Sequence, residues 1–335
     1  MIQPYHHHAQ RFRQLVTPAN RILLTITKEP DGDSLGSMVA MARALKHFGK
    51  QPFCYSPDAV PSMFSYLTAA HPIMRDLPDS IHDYHLIMIF DAGDLKRTPL
   101  VAEFIKRNPG RTKVLNIDHH PTVSEWQGRS AVDHHIIDTQ AGSTTEMLWH
   151  LFDALAVPLD RYLATCLLTG ILTDTGHFTN QGTSQHSLEV AAQLMAKGAQ
   201  HRTITEATMK NKSLGTLKLW GRALSRLRLN PQTGLVSTVL TEQDFSELGL
   251  DDRAMTGIAN FLNGLREGRL SLVLSERPGG IIKASLRTND PNVNVTDMAA
   301  EFGGGGHPKA AGFQIRGQLV ETKHGWRIIP AGTDR

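Results

Sequence analysis

Asp118-His119-His120 closes the apolar run Val114-Leu115-Asn116-Ile117, and Gly303-Gly304-Gly305-Gly306-His307 follows far downstream. Imidazole beside a carboxylate at the end of a buried run can bind a metal or carry a proton. Successive glycines let backbone amides approach an anion closely. The two clusters suggest a metal centre in one domain and a phosphate cradle in another. More carboxylates fall at similar places: Asp31-Gly32-Asp33 on a turn, Asp91 after Leu86–Phe90, and Asp174 at the end of an apolar helix. Each is ambiguous alone, because aspartate is common in turns and at helix caps. Four acidic groups on one rim would repel one another unless cations neutralised them. Oxygen and imidazole ligands without thiolate favour Mn²⁺ or Mg²⁺ over structural zinc. Several carboxylates are available to bridge, which suits a pair of ions roughly 3.5–4 Å apart and the hydrolysis of a phosphoester.

The elements that must position these residues follow from the apolar pattern. Arg21–Thr27, Leu86–Phe90 and Lys113–Ile117 read as buried strands, and Leu35–Phe48 as a helix capped by Gly49. Strands alternating with helices give an α/β fold with a doubly wound parallel sheet, whose site lies beyond the strands' carboxyl ends. Ser143-Thr144-Thr145-Glu146 has the pattern of a capping box opening a helix to about Leu155, and a helix over Arg161–Thr173 delivers Asp174. The stretch 201–229 reads as connecting helices. In it Lys218, Arg222 and Arg226 form a basic stripe, either a solvated face or a phosphate contact. Strands at Leu235–Leu240, Leu270–Leu274, Ile281–Leu286 and Gly312–Ile315 mark a second, smaller α/β domain. The expected division is 1–198 for the catalytic domain, 199–230 for a helical linker and 231–325 for the substrate domain. Asp133-His134-His135 repeats the acid–imidazole letters but reads as a loop outside the site, and His177 is the better extra imidazole.

Composition narrows the class. At 335 residues the chain is long enough for two domains, and 40% apolar with 20% charged residues is ordinary for a globular protein. The N-terminus lacks a signal-peptide core and no apolar run reaches membrane-spanning length, so a cytoplasmic protein without a membrane partner is expected. A net charge of +3 suits a small anionic substrate rather than a coat on long nucleic acid. Cys54 and Cys166 stand alone in apolar surroundings and read as buried thiols.

Five ordered motifs together resemble the DHH–DHHA1 phosphoesterase superfamily over nearly the whole chain. They are Pro30–Ser37, Asp91-Ala92-Gly93-Asp94 with Arg97, Asp118-His119-His120, Leu172-Thr173-Asp174-Thr175-Gly176, and Ser285-Leu286-Arg287 with Gly303–His307. The chain is most similar to the nano-RNase/pAp phosphatase branch. That resemblance implies Asp31, Asp33, Asp91, His119 and Asp174 as ligands of two Mn²⁺ ions, with Mg²⁺ as the alternative ion. It puts His120 at the scissile phosphate and Asp118 behind it, orienting the imidazole. Arg97, Arg287, Gly304, Gly305, Gly306 and His307 are the implied substrate contacts, placed across a cleft from the acidic rim. Where the family usually has a ligating histidine this chain has Thr27, which leaves one ion site short of an imidazole. Short RNA or DNA oligonucleotides and 3′-phosphoadenosine 5′-phosphate are the implied substrates, and a homodimer is allowed. The alternatives are a cyclic or linear dinucleotide phosphodiesterase, and a nucleotide-binding protein with a weakened metal site.

Overall fold

The computed structural model describes residues 3–69, 71–77, 83–93, 98, 112–120, 125–126, 129–130, 132–180, 182–323 and 325–330. They form two compact units, Met1–Asn211 and Lys212–Arg335. In the first unit five parallel strands make one sheet: β1 (Ile22–Thr25), β2 (Phe53–Tyr55), β3 (Leu86–Phe90), β4 (Lys113–Asp118) and β5 (His134–Ile137). Their spatial order is β2-β1-β3-β4-β5. Every residue of β1 and β3 is buried, as expected of parallel strands covered on both faces. Leu24, Met88, Leu115 and Ile117 belong to a large core. That core is shared with α1 (Gln3–Val16), α2 (Gly32–His47), α3 (Thr144–Ala154), α4 (Arg161–Asp174) and α5 (Gln185–Ala196). Leu23, Ile87, Ile89 and Val114 point the other way, into a second cluster with Tyr55 and Tyr84. The chain moves outward from β1 to β2 and then returns past β1 to β3. Strand order therefore reverses between β1 and β3, the place where such sheets open a crevice at their carboxyl ends.

Several boundaries differ from the pattern in the sequence. β1 stops at Thr25, and Thr27 is buried beyond its end. α2 starts three residues earlier than expected because the Asp31 carboxylate caps it. His134 and His135 lie in β5, the strand beside β4, and not in a loop. α1 was not foreseen, although Tyr5, Ala9, Phe12, Leu15 and Val16 bury one helical face.

The second unit is built on a mixed sheet. Its strands are β6 (Arg228–Asn230), β7 (Leu235–Leu240), β8 (Leu270–Arg277), β9 (Ile281–Thr288), β10 (Gly305–His307), β11 (Ala310–Thr322) and β12 (Gly325–Pro330). The order is β10-β11-β9-β8-β7-β6 with β12 paired to β11, and β7 with β8 is its parallel pair. The segment 199–230 divides between the units. The helix α6 (His201–Thr208) buries Ile204 in the first core, whereas α7 (Leu214–Ser225) buries Leu219 and Ala223 against Leu240 and Val273 in the second. Two of the three positions of the basic stripe are engaged in ion pairs within the second unit. Arg222 and Arg226 both pair with buried Asp244, and Arg226 also lies over the Trp326 ring. Burial works against the Asp244 charge, but Arg226 and Thr241 bring its pKa down to about 2. Cys54 and Cys166 are buried free thiols.

Candidate metal centre

The carboxylates of the first unit gather where β1, β3 and β4 end. Asp31 caps α2: its Oδ1 accepts from the amides of Asp33 and Ser34 at 3.1 and 2.9 Å and from Ser34 Oγ at 2.9 Å. Asp33, in the first turn of α2, is fully buried. Its Oδ2 accepts from the Thr144 amide at 2.7 Å, and its Oδ1 from Thr145 N and Oγ1 at 3.0 and 2.8 Å. One carboxylate thus occupies the N-terminus of α3, where free amides and the helix dipole favour an anion. α4 packs tightly on that arrangement. A Cβ on Gly170 would sit 2.2 Å from Asp33 Oδ1 and 2.3 Å from Thr145 Oγ1. Glycine there lets α4 approach α2 closely enough to bring Asp174 beside Asp33. Burial and the Asp174 charge push Asp33 up to about 7.

Asp91 immediately follows β3 with φ of 53°, a left-handed conformation that aspartate tolerates better than most residues. Burial and the Asp31 charge hold its carboxyl well above the usual range. Asp118 ends β4. Its Oδ2 accepts from the Gly93 amide at 2.7 Å, and its Oδ1 from the His120 amide and ring Nδ1, both at 2.9 Å. Burial alone would raise its pKa, but the His120 ring and these amides hold it below the ordinary value. The same contacts fix the orientation of the His120 ring. His119 has Nδ1 3.2 Å from the Ala141 carbonyl, so Nε2 presents the lone pair when the ring is neutral. That Nε2 lies 3.0 Å from Asp174 Oδ2 and 3.6 Å from Asp91 Oδ1. Despite burial, the Asp174 carboxylate raises His119 to about 10, and the Asp118 and Asp91 carboxylates raise His120 to about 11.

The described ligand atoms assemble in two groups, Asp33–His119–Asp174 and Asp91–His119–His120, each with its atoms within 4.8 Å of one another. Four of the five residues expected as metal ligands are in them. Asp31 is outside both, its Oδ1 engaged in capping α2. His120, expected at the phosphate, joins the second group. Thr27 is in neither. His177 turns away, its Nε2 2.9 Å from Thr208 Oγ1 on α6. Asp133 binds Lys113 and the Val114 amide. Arg97 lies outside the described residues.

In the second unit, strand register aligns Arg287, Ala310 and His307 in one row across β9, β11 and β10. Arg287 is half-buried, with Nε donating to Asn260 Oδ1 at 2.9 Å and Nη1 to the Leu286 carbonyl at 2.8 Å. The expected glycine loop is largely strand. A Cβ on Gly304 would meet the Gly312 carbonyl at 2.2 Å, and one on Gly306 the Ala310 carbonyl at 2.5 Å. Gly304 and Gly306 therefore have a packing reason independent of any ligand, while Gly305 has open space where its side chain would be.

The model of the DHH family, N-terminal domain, matches residues 21–171, and that of the DHHA1 domain matches residues 232–323. A bifunctional oligoribonuclease and PAP phosphatase NrnA from Thermus thermophilus is 30% identical over 86% of this chain and 82% of its own. This chain belongs to the DHH–DHHA1 phosphoesterase superfamily. Within the superfamily it falls in the branch of that relative. A cyclic-di-AMP phosphodiesterase PdeA from Listeria monocytogenes is 23% identical, over 92% of this chain and 47% of its own. The fold is shared with an exopolyphosphatase-related protein from Bacteroides fragilis, at a TM-score of 0.82 and 23% identity over 92% and 90% of the two chains.

The divalent ions that a DHH–DHHA1 enzyme implies fit the residues present. Among the described residues, Asp91 Oδ1 and His119 Nε2 are buried without a hydrogen-bond partner. Such atoms are costly to bury unless something satisfies them. His119 Nε2 approaches Asp174 closely without the alignment of a hydrogen bond, as two ligands of one ion do. Carboxylate oxygens with one or two imidazoles suit Mn²⁺ or Mg²⁺. Sequence reasoning missed the supports: the Ala141 carbonyl, the Gly93 amide, and the Thr144 and Thr145 amides. The capping pattern at Ser143 signalled the start of α3, but nothing local signalled that a carboxylate from α2 would take its free amides.

Proposed function

We propose that this phosphoesterase is a cytoplasmic, Mn²⁺-dependent hydrolase of very short oligonucleotides that also removes a phosphate from 3′-phosphoadenosine 5′-phosphate. The observation that carries the reading is the pair of ligand groups sharing His119 beside the Asp118–His120 pair. The activities named for the Thermus thermophilus relative support the choice of substrate. Asp33, Asp91, His119 and Asp174 would hold the ions, with Asp31 offering its uncapped oxygen to the second. The ions, when bound, would neutralise phosphate charge and make water a better nucleophile. Asp118 positions His120, whose Nε2–H donates to the phosphoryl oxygens or to the leaving oxygen as a general acid. In the second unit Arg287, Gly304, Gly305, Gly306 and His307 would bind the part of the substrate away from the reacting phosphate. Arg97 would join them.

A second reading, cyclic or linear dinucleotide hydrolysis, is favoured by the similarity to PdeA. Thr27, in place of a ligating histidine, motivates a third, binding without turnover. A panel of 3′-phosphoadenosine 5′-phosphate, two- to five-residue RNA and DNA, a 24-residue RNA, cyclic di-AMP and pyrophosphate, each with Mn²⁺, separates these. Rates should fall once RNA exceeds about five nucleotides, the scale of a short single-strand site. Equal turnover of dimer and 24-mer would overturn the preference for short substrates. Binding of a dinucleotide without metal-dependent turnover would overturn the enzyme itself.

A further inference from the structure

Imidazoles also gather away from the carboxylate-rich groups. His150 on α3 and His186 on α5 bring their Nε2 atoms to 2.6 Å. Their ring planes differ by 11° and their centroids lie 4.7 Å apart. The centroid separation exceeds the nitrogen separation by nearly two ring radii, so the rings meet edge to edge with the two nitrogens facing. The contact is shorter than an ordinary N–H···N bond. Two electron-rich nitrogens held this close are stabilised by positive charge between them, either a proton or a metal ion.

The surroundings point to a metal. His186 Nδ1 lies 3.7 Å from Glu189 Oε2. The His150 ring packs 5.0 Å from that of Tyr5, whose hydroxyl donates to Asp138 Oδ2 at 3.4 Å. A carboxylate behind a ligating imidazole is the usual outer shell of a histidine metal site; Glu189 takes that place behind His186, while Asp138 reaches the His150 side only through Tyr5. Both histidines are half-buried, with His186 30% exposed, so the pair is reachable from solvent. A second imidazole pair, His8 Nδ1 and His134 Nε2 at 3.3 Å, also adjoins Tyr5, whose ring centroid lies 6.1 Å from that of His8. That pair is longer, and its rings make no comparable carboxylate contact among the described residues.

We propose that His150 and His186 form an imidazole-based site for a borderline transition ion, Ni²⁺, Cu²⁺ or Zn²⁺, separate from the aspartate-rich centre. Nitrogen ligands select such ions over Mn²⁺ and Mg²⁺, which prefer the oxygens at the strand ends. Two protein ligands leave the other coordination positions to water, and a modest widening of the nitrogen separation through side-chain rotation seats the ion. Bound there, it cross-links α3 to α5. Neither residue touches the catalytic groups, so turnover with Mn²⁺ does not depend on them.

The test is a calorimetric titration of Ni²⁺ into the full-length, Mn²⁺-saturated protein, beside Cu²⁺ electron paramagnetic resonance. Beside the exchange of Ni²⁺ for Mn²⁺ at the carboxylate-rich centre, the native sequence should show a Ni²⁺ step that weakens at least tenfold in His150→Gln and in His186→Gln. The step should persist in His8→Gln and His134→Gln, and Mn²⁺-dependent turnover should be unchanged in all four. Identical Ni²⁺ titrations for the native protein and the first two variants would overturn the proposal. So would a step that disappears with His8 or His134 instead. If a glutamine variant fails to fold, the Cu²⁺ spectrum decides. That spectrum is read against His150→Asn and His186→Asn: loss of a nitrogen ligand relative to the native protein supports the site, and a spectrum unchanged in both overturns it.

Discussion

Stripped of metal, this protein should lose stability as the pH rises from 7 to 8.5. In the metal-free fold Asp33 is pushed up to about 7, His119 is held at about 10 and His120 at about 11. Each value lies above that of the unfolded chain, so the native state carries more protons in this window and stability falls with rising pH. A histidine protonated when folded and neutral when unfolded contributes about 1.4 kcal/mol per pH unit. One such group therefore costs about 2 kcal/mol across the window, and the two together about 4 kcal/mol if they act independently. Asp33 adds to the loss at the lower end. The limits of the window matter. Below about 6.5, the unfolded value for histidine, His71 and His134 give the opposite slope, because burial pushes each down to about 4. Above 8.5 the buried thiols Cys54 and Cys166, both raised by burial, begin to contribute. Urea denaturation with EDTA at both pH values is the assay. Added Mn²⁺ should reverse the trend, because the ions displace those protons and bind more tightly as pH rises. Each ion at a hundred times its Kd should add about 2.7 kcal/mol. His119→Asn should remove about half of the metal-free slope. Metal-free stability that stays level between pH 7 and 8.5 would refute the reasoning.

Three further outcomes follow from particular contacts. Gly170→Ala places a methyl group 2.2 Å from Asp33 Oδ1; it should cost about 1–3 kcal/mol by overpacking and weaken Mn²⁺ binding, read by denaturation and calorimetry. Asp118→Asn puts a donor against the Gly93 amide or the His120 ring; kcat should fall on the order of 10²–10⁴-fold with KM and Mn²⁺ affinity nearly unchanged. Asp244→Asn removes the partner of Arg222 and Arg226; it should destabilise the second unit by about 2 kcal/mol at neutral pH and spare turnover. Because the Asp244 value is depressed, that stability is full above about 4 and disappears as pH falls through about 2.

Two central strands of the first unit were legible because they are continuous apolar runs that lead to acids. Leu86–Phe90 and Lys113–Ile117 are buried on both faces, so their limits coincide with hydropathy. α1 was hidden by the polar letters of its exposed face, with His6 and His7 between the buried Tyr5 and Ala9. The Asp133-His134-His135 segment hid its strand character for a different reason. β5 is an edge strand with one buried residue in four, and so lacks the apolar run of its neighbours. At the site, spacing marked the ligands but could not show competition for them. Asp31 spends one oxygen on a helix cap, and Asp33 holds two helices together as well as facing Asp174. The glycine run was the least transparent feature. Its composition suggested an anion cradle, whereas two of its members are required by close strand approach within the sheet.

The central claim, that the acidic rim is a two-metal centre, is tested most directly by a crystal structure grown with Mn²⁺ and recorded with anomalous scattering. Two ions roughly 3.5–4 Å apart should appear, one within reach of Asp33, His119 and Asp174 and the other beside Asp91. Anomalous peaks elsewhere, or a rim in which Asp33, Asp91 and Asp174 bind no ion at saturating Mn²⁺, would contradict it.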